Sequence, residues 1–306
     1  MQQLLLEQRA KVSISEPGEE QYLLGQIPAK TSDWRKLTTL QDKTNFQALC
    51  RGQRLLHPLH ESRLTCYYSA RDEPYLLLQP VPVEVLHAAP HEVLLFHDVL
   101  SPGECRGLAA LAARGLKQSA IGQGKELSDI RVSRNAWLED GVSPLVDKIN
   151  RKTNRLTGLQ TSVKYDRHKE GKKEEFEYLQ VAEYGIGGHY NVHQDPMFVY
   201  KEPTFLAESV EAVTPYLTGD RMSTLMYYLS DVTAGGVTAF PRLGVAAAPV
   251  QGAAIFWHNL RRSGAQDMAM LHGGCPVLLG SKMVANKWMR EVAQALHRPC
   301  GLTVDS

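Results

Sequence analysis

A histidine and an aspartate separated by one residue, His193 and Asp195, end the run 187–195, which reads GGHYNVHQD. If this run forms a β-strand, its side chains alternate between two faces, so His193 and Asp195 point to the same side while Gln194 points away. With a second imidazole from elsewhere in the chain they form the 2-His-1-carboxylate set that binds ferrous iron and leaves coordination positions open. Since a His-x-Asp pair also arises by chance, this prediction needs support from the rest of the sequence.

The second histidine that fits this set is His272, which is followed by two glycines, a cysteine and a predicted strand at 276–279. Lys282 lies ten residues after it. A lysine that enters a barrel from a late strand supplies a compact positive charge able to hold a carboxylate deep in a pocket. The structural alternatives are a surface-loop position for His272 and a solvated strand end for Lys282.

Short segments rich in β-branched and aromatic residues, separated by glycine or proline, dominate the second half of the chain. Their spacing predicts a sandwich or jelly roll rather than alternating strand–helix units. Two helices are expected beside them, one beginning at the capping box 101–104 and one beginning at Ser143-Pro144 and ending at Gly158. We therefore expect a mainly β fold with flanking helices (α+β) and a double-stranded β-helix (jelly-roll) core. The predicted strands are 93–96, 176–184, 221–229, 237–240, 253–257, 276–279 and 283–289.

The first part of the chain is uneven, with polar segments, a helix-like stretch near 43–51 and an apolar run at 75–79 next to prolines. We expect residues 1–88 to be an N-terminal lead-in or linker region and residues 89–306 to form the domain that carries the candidate site. Residues 197–219 form a long connection between predicted strands, and connections of this length are typical of lids or binding loops.

The composition excludes several classes of partner. The 306 residues carry a formal net charge of +1, so no overall field points to nucleic acid or to an anionic membrane. No apolar run reaches the length of a membrane span, and the leucines near the N-terminus are too few for a signal peptide. The default expectation from the residues is a soluble cytosolic protein, or a secreted protein whose leader lies outside this sequence. The charged stretch 164–175 is expected to be a solvated loop.

Five cysteines are present and none forms a Cys-x-x-Cys pair, so zinc-ribbon spacing is absent. The spacing allows disulfides between Cys50 and Cys66 and between Cys275 and Cys300 if the compartment is oxidising. Buried free thiols of a cytosolic protein are the alternative, and the residues alone leave both open.

The order of the candidate residues resembles that of the iron- and 2-oxoglutarate-dependent prolyl 4-hydroxylases, and in particular of their collagen-type alpha subunits. In both, a His-x-Asp pair is followed far downstream by a histidine and, ten positions later, by a lysine. The similarity extends over about 50–300. It is carried by four collinear segments, LQVAEYGIGGHY at 179–190, YYLSDVTAGG at 227–236, CPVLLGSK at 275–282 and ANKW at 285–288.

This resemblance implies a role for nine positions of the chain. They are His193, Asp195 and His272 as iron ligands; Lys282 as partner of the distal carboxylate of 2-oxoglutarate, with Tyr184 and Thr238 also holding this cosubstrate; and Tyr190, Arg221 and Trp288 as contacts of the peptide. His189 and His258 do not stand at ligand positions.

The activity that the resemblance implies is hydroxylation of C4 of peptidyl proline in collagen-like X-Pro-Gly sequences. Fe(II), O₂ and 2-oxoglutarate would be used, with L-ascorbate as a further cofactor, and succinate and CO₂ would be released. Residues 89–306 would then be the catalytic domain, and protein disulfide isomerase would be a partner. The implied compartment is the endoplasmic reticulum lumen, with disulfides Cys50–Cys66 and Cys275–Cys300 and a free Cys105.

Three other functions are alternatives to a collagen prolyl 4-hydroxylase. A related hydroxylase would act on another proline-rich protein, and a non-catalytic relative would only bind proline-rich peptides in the polyproline II conformation. A retained set of four polar site residues argues against the non-catalytic relative. A zinc hydrolase would need a general base near the metal motif, and none is found there.

Overall fold

The computed structural model describes residues 38–71, 73–119, 131–161, 176–196 and 219–301. The predicted loop at 164–175 and nearly all of the predicted lid at 197–219 lie outside these ranges. Within them, no helix combines the length and the hydrophobicity that a membrane crossing requires.

The helices are α1 Leu40–Cys50, α2 Pro58–Glu61, α3 Pro74–Leu78, α4 Pro102–Ala113 and α5 Pro144–Thr157. The strands are β1 Cys66–Ser69, β2 Val81–His87, β3 Val93–Phe96, β4 Lys117–Gln118, β5 Arg131–Val132, β6 Arg134–Leu138, β7 Leu179–Tyr184, β8 His189–His193, β9 Arg221–Tyr228, β10 Ala234–Gly235, β11 Thr238–Phe240, β12 Val245–Ala247, β13 Ala254–His258, β14 His272–Gly274, β15 Val277–Leu279 and β16 Lys282–Arg290.

The larger sheet has nine antiparallel strands in the order β1-β2-β3-β13-β9-β16-β7-β6-β4. Its central strand β9 reads RMSTLMYY and is buried along almost its whole length. Leu225 and Tyr227 enter the apolar core under the helices, whereas Met226 and Tyr228 enter the core on the opposite face. A strand covered on both faces forms a continuous apolar run, which is why the sequence predicted this strand almost to the residue.

The smaller sheet has five antiparallel strands in the order β12-β11-β14-β8-β5. Its residues Phe240 and Val245 share one apolar cluster with Tyr228 and Trp257 of the larger sheet. Two antiparallel sheets that close over a common core form a jelly roll. The predicted fold class is therefore confirmed.

Helices α4 and α5 cover the outer face of the larger sheet. The predicted capping box is present, since Ser101 and Glu104 exchange side-chain and backbone hydrogen bonds at the start of α4. Helix α5 ends at Gly158, whose φ of 72° is a left-handed conformation that glycine adopts at little cost. Leu108 of α4 and Ile149 of α5 are completely buried against the sheet.

The first two strands of the described chain belong to the larger sheet. Strand β2 pairs with β3, and Val83 and Val85 of β2 lie in the main apolar cluster. The predicted boundary after residue 88 therefore falls between two paired strands. The structure places residues 66–87 in the body of the predicted catalytic domain rather than in a separate lead-in.

Helix α1 is covalently attached to the smaller sheet. Cys50, the last residue of α1, forms a disulfide with Cys275, which directly follows β14. The predicted pairs Cys50–Cys66 and Cys275–Cys300 are therefore wrong, while Cys105 has a free thiol as predicted. Separation along the chain favoured short loops, whereas the fold brings two cysteines 225 residues apart to a Cα–Cα distance of 5.5 Å.

Two further contacts hold α1 in place. Arg242 donates to both carboxylate oxygens of Asp42, at 3.1 and 3.0 Å. The ring of Phe46 packs on Gly273, where a Cβ would lie 2.8 Å from a ring carbon. Only glycine at this position lets the helix approach the strand so closely.

The disulfide gives the first prediction. Proteolysis of the oxidised protein under non-reducing conditions should give a linked peptide pair containing Cys50 and Cys275, which separates on reduction. Mass spectrometry of the digest, with alkylation of free thiols before cleavage, should also find Cys66 and Cys300 alkylated. Recovery of Cys50 linked to Cys66 would contradict the pairing.

Candidate metal centre

Three buried side chains converge where β8 and β14 pair. His193 is the last residue of β8, Asp195 follows two residues later, and His272 opens β14 as the direct Cα partner of His193. The Oδ1 atom of Asp195 lies 3.7 Å from Nε2 of His193 and 3.8 Å from Nε2 of His272. One ligand atom from each residue lies within 4.8 Å of the others. The structure thus brings the three predicted ligands together with spacing suitable for one metal ion.

Backbone carbonyls fix the orientation of both imidazoles. Nδ1 of His193 lies 2.8 Å from the carbonyl oxygen of Asn191, and Nδ1 of His272 lies 2.9 Å from that of Met270. Because a carbonyl only accepts, each Nδ1 carries the hydrogen and each Nε2 presents a lone pair towards Asp195. Such a hydrogen bond on the far nitrogen is typical of metal-ligating histidines.

The charges of the site follow from its burial. Burial, with a smaller effect from neighbouring His272, lowers the pKa of His193 to about 3, so this imidazole is neutral near pH 7. Burial alone would raise the pKa of Asp195, but His272, His193 and Arg221 together lower it. A neutral imidazole at His193 and a carboxylate at Asp195, with Nε2 of His272 facing the same oxygen, match the ligands that ferrous iron accepts.

A bulge beside the ligands places Tyr190 on the same side as His193. The register of β8 against β14 shifts, since His272 pairs with His193 but Gly274 pairs with Tyr190. Residues three apart would otherwise point to opposite faces of a strand. The ring of Tyr190 stacks on that of His193 at 3.6 Å between centroids. Gln194 also lines the cavity, and its side-chain amide donates to the carbonyl of Met268.

A buried ammonium group lies at another part of the same cavity. Lys282 opens β16, and its Nζ donates to Oγ1 of Thr238 at 3.2 Å, an oxygen that also accepts from the hydroxyl of Tyr228. The rings of Tyr184 and Tyr228 flank it, with centroids 5.8 and 5.6 Å from Nζ. Burial lowers the pKa of Lys282 to about 7. Within the described ranges no carboxylate forms an ion pair with this lysine, although a buried charge without a partner is costly.

One cavity of about 510 Å³ connects the three predicted metal ligands with the ammonium of Lys282, and Thr238 also lies in its wall. This volume is within the usual range for sites that bind small molecules. Tyr184, Tyr190, Arg221 and Trp288 line it as well. All nine predicted site residues therefore contribute to one cavity.

Arg221 and Trp288 form a paired unit in the cavity wall. The guanidinium of Arg221 lies 3.7 Å from the centroid of the Trp288 ring, and it donates to both oxygens of Glu177 at 2.7 and 2.5 Å. Trp137, which is 48% exposed, lies 5.9 Å from Trp288 between ring centroids. The donors of Arg221 are thus largely used within the protein, and the aromatic rings offer the flatter surface to a bound molecule.

Several residues of the site were not singled out from the sequence. Tyr228 binds Thr238, Thr224 donates to Asp195 at 2.6 Å, and Asn259 donates to Thr224 at 2.8 Å. Strand alternation along β9 could have found Thr224 and Tyr228, because residues 224, 226 and 228 share the face that lines the cavity or its core. No pattern in the sequence marked Asn259.

Comparison with known proteins identifies the class. Residues 179–290 match the 2OG-Fe(II) oxygenase superfamily. The chain is 39% identical to human prolyl 4-hydroxylase subunit alpha-3 over 264 residues, which cover 85% of this chain and 45% of that protein. It is 35% identical to Caenorhabditis elegans prolyl 4-hydroxylase subunit alpha-2 over 285 residues, which cover 92% and 49%. A structure of the viral collagen prolyl hydroxylase from Paramecium Bursaria Chlorella virus-1 with 2OG is 27% identical, with a TM-score of 0.47, and the match covers 64% of this chain and 94% of that one.

The superfamily match and the jelly roll show that the chain contains a 2OG-Fe(II) oxygenase domain. Identities of 39% and 35% over most of its length show that it is homologous to part of the prolyl 4-hydroxylase alpha subunits. The chain spans about half the length of the curated relatives it matches.

The ligand geometry gives the second prediction. Replacing His193 with alanine should remove most bound Fe(II), because two remaining ligands hold the ion poorly. His189→Ala is the matched control, since this histidine lies four residues away on the same strand and contributes no ligand atom. Metal content after anaerobic loading and desalting should fall well below one ion per chain only for His193→Ala. Full loading of that variant would show that His193 is not a ligand.

Proposed function

We propose that this chain is the catalytic part of a prolyl 4-hydroxylase that oxidises C4 of peptidyl proline with Fe(II), O₂ and 2-oxoglutarate. The observation that carries the proposal is the pairing, in one cavity, of the His193–Asp195–His272 set with the buried, carboxylate-free ammonium of Lys282. A dicarboxylate could reach the metal with one end and Lys282 with the other. The names of the relatives supply the substrate class.

The donor set fits Fe(II). Imidazole Nε2 atoms and a carboxylate oxygen are ligands that iron accepts, and both imidazoles are already oriented by backbone carbonyls. With the ion bound, the site would have the chemistry that couples decarboxylation of 2-oxoglutarate to succinate and CO₂ with hydroxylation of the substrate. His193, Asp195 and His272 would leave the other coordination positions to the reactants.

Lys282 and Thr238 would bind the distal carboxylate of 2-oxoglutarate. The ammonium supplies the charge, the Thr238 hydroxyl supplies a hydrogen bond, and the Tyr184 and Tyr228 rings exclude water. An ion pair in such a dry place is much stronger than one at the surface. Free Lys282 is half neutral near pH 7, so a bound carboxylate would also draw a proton onto it.

The aromatic side of the cavity would receive the peptide. Tyr190, Trp288 and the Arg221 guanidinium that stacks on Trp288 present flat surfaces beside the ligands. A proline ring packs well on such surfaces, and polyproline II segments dock preferentially in aromatic-lined grooves.

The proposal includes finer points that rest on the family alone. They are collagen-like X-Pro-Gly sequences as substrate, L-ascorbate as a further cofactor, protein disulfide isomerase as partner and the endoplasmic reticulum lumen as compartment. The Cys50–Cys275 disulfide agrees with an oxidising compartment.

Turnover gives the third prediction. With Fe(II), 2-oxoglutarate and ascorbate, a Pro-Pro-Gly repeat peptide should gain the mass of one oxygen per event, with fragmentation placing the hydroxyl on C4 of proline. Succinate should form in equal amount and should depend on the peptide. If only a non-collagen proline-rich peptide were hydroxylated, the protein would be a related hydroxylase that acts on another proline-rich protein. Bound iron and bound peptide without any succinate would indicate the non-catalytic relative.

Lys282 gives the fourth prediction. Lys282→Met keeps the buried volume but removes the charge, and loss of a buried charge partner costs about 2–5 kcal/mol. The KM for 2-oxoglutarate should therefore rise at least about thirtyfold, while Fe(II) binding persists.

A calorimetric control separates charge from shape in this variant. At pH 8 the side chain of Lys282 in the ligand-free wild type is mostly the neutral amine, because its pKa is about 7, so binding of 2-oxoglutarate should take up close to one proton. Titrations in two buffers of different ionisation enthalpy should show this uptake in the wild type and not in Lys282→Met. An unchanged KM in the variant would place the carboxylate partner elsewhere.

A further inference from the structure

A chain of hydrogen bonds between buried side chains runs from the larger sheet to the metal ligand Asp195. Nε1 of Trp257 donates to Oδ1 of Asn259 at 2.6 Å, Nδ2 of Asn259 donates to Oγ1 of Thr224 at 2.8 Å, and Oγ1 of Thr224 donates to Oδ2 of Asp195 at 2.6 Å. Every member is at most 7% exposed. The other carboxylate oxygen, Oδ1, is the one that faces His193 and His272.

The direction of every bond in this chain is fixed by its first member. An indole nitrogen can only donate, so the Asn259 oxygen must be the acceptor and its amino group must face Thr224. Because the Thr224 oxygen then accepts from Asn259, its single hydrogen is left for Asp195. The hydroxyl cannot turn without breaking a buried hydrogen bond, which costs more than in water.

We propose that Thr224 and Asn259 are positioning residues that decide which oxygen of Asp195 is offered to the metal. The inference rests on the proposed function, because it assigns a task to residues behind the same ligand. Thr224 holds Oδ2, so Oδ1 remains for the ion between the two imidazoles. The carboxylate would then offer only Oδ1 to the ion, which would leave the other coordination positions for the reactants.

The scaffold suits this task. Thr224 lies on β9 and is the Cα partner of Trp257 on β13, so both are held by neighbouring central strands. The Trp257 ring also packs on the ring of His272, with centroids 4.7 Å apart. One indole therefore supports two of the three ligands, His272 by packing and Asp195 through Asn259 and Thr224.

The experiment compares metal affinity in matched variants of the full chain. Thr224→Val removes the hydroxyl at constant shape, and Thr224→Ser retains it. Asn259→Asp keeps the acceptor for Trp257 but offers Thr224 a second carboxylate, which draws the hydroxyl hydrogen away from Asp195. Anaerobic titration with Co(II), followed by its visible absorption, gives the dissociation constant and reports the coordination sphere. Changes behind a metal ligand typically weaken affinity about 10- to 100-fold.

We expect Thr224→Val and Asn259→Asp to weaken Co(II) binding at least about tenfold and to alter the absorption bands. Thr224→Ser should bind within about threefold of the wild type. Thr153→Val is the control for loss of a buried hydroxyl, since Thr153 bonds the Tyr227 hydroxyl at 2.7 Å on the helix side of the sheet. It should lower the melting temperature without changing Co(II) affinity.

Wild-type Co(II) affinity and bands in folded Thr224→Val or Asn259→Asp would overturn the inference, as would a Thr224→Ser variant as weak as Thr224→Val. Melting curves of the metal-free variants identify those that remain folded. If the wild type itself bound no Co(II), the proposed metal centre would fail first, and the positioning role with it.

Discussion

The pairing register of β8 with β14 decides whether a metal centre can form. His193 and His272 are direct Cα partners across this pair, and a slip of one residue would turn one imidazole to the other face of the sheet. The bulge next to this pair brings Tyr190 to the side of His193 despite their odd spacing, so that its ring lines the cavity beside the ligands. The ligand set therefore depends on backbone hydrogen bonds before it depends on any side chain.

The cavity contains a buried positive charge, that of Lys282, whose presence is not explained by the stability of the fold. An ammonium group buried without a carboxylate destabilises the folded protein, and its lowered pKa reflects that cost. Burial also lowers the pKa of Lys287, but this lysine donates to the carbonyl of Glu177 and lies 3.7 Å from Asp140. Lys287 thus has partners within the protein, whereas Lys282 has no carboxylate partner among the described residues. This difference supports an anion site at Lys282 more directly than its burial alone.

The sequence predicted the jelly roll and most long strands because their apolar runs and punctuating glycines are local signals. It did not predict β14, since His272–Gly274 contains two glycines and no apolar residue, and its strand conformation is imposed by β8 and β11. The roles of Thr238 and Trp288 came from resemblance rather than from pattern. Cys50–Cys275 and Asn259 were missed for one reason: each acts on a partner distant in sequence, and no local pattern encodes such a contact.

Helix α1 shows why the site cannot be reduced to the jelly roll. Asp42 binds Arg242, Arg242 donates to the carbonyl of Met268 at 2.9 Å, and Met270, two residues on, supplies the carbonyl that orients His272. Phe46 packs on Gly273, and the disulfide joins the end of the helix to the residue after β14. The helix thus holds the segment 268–275 from both ends.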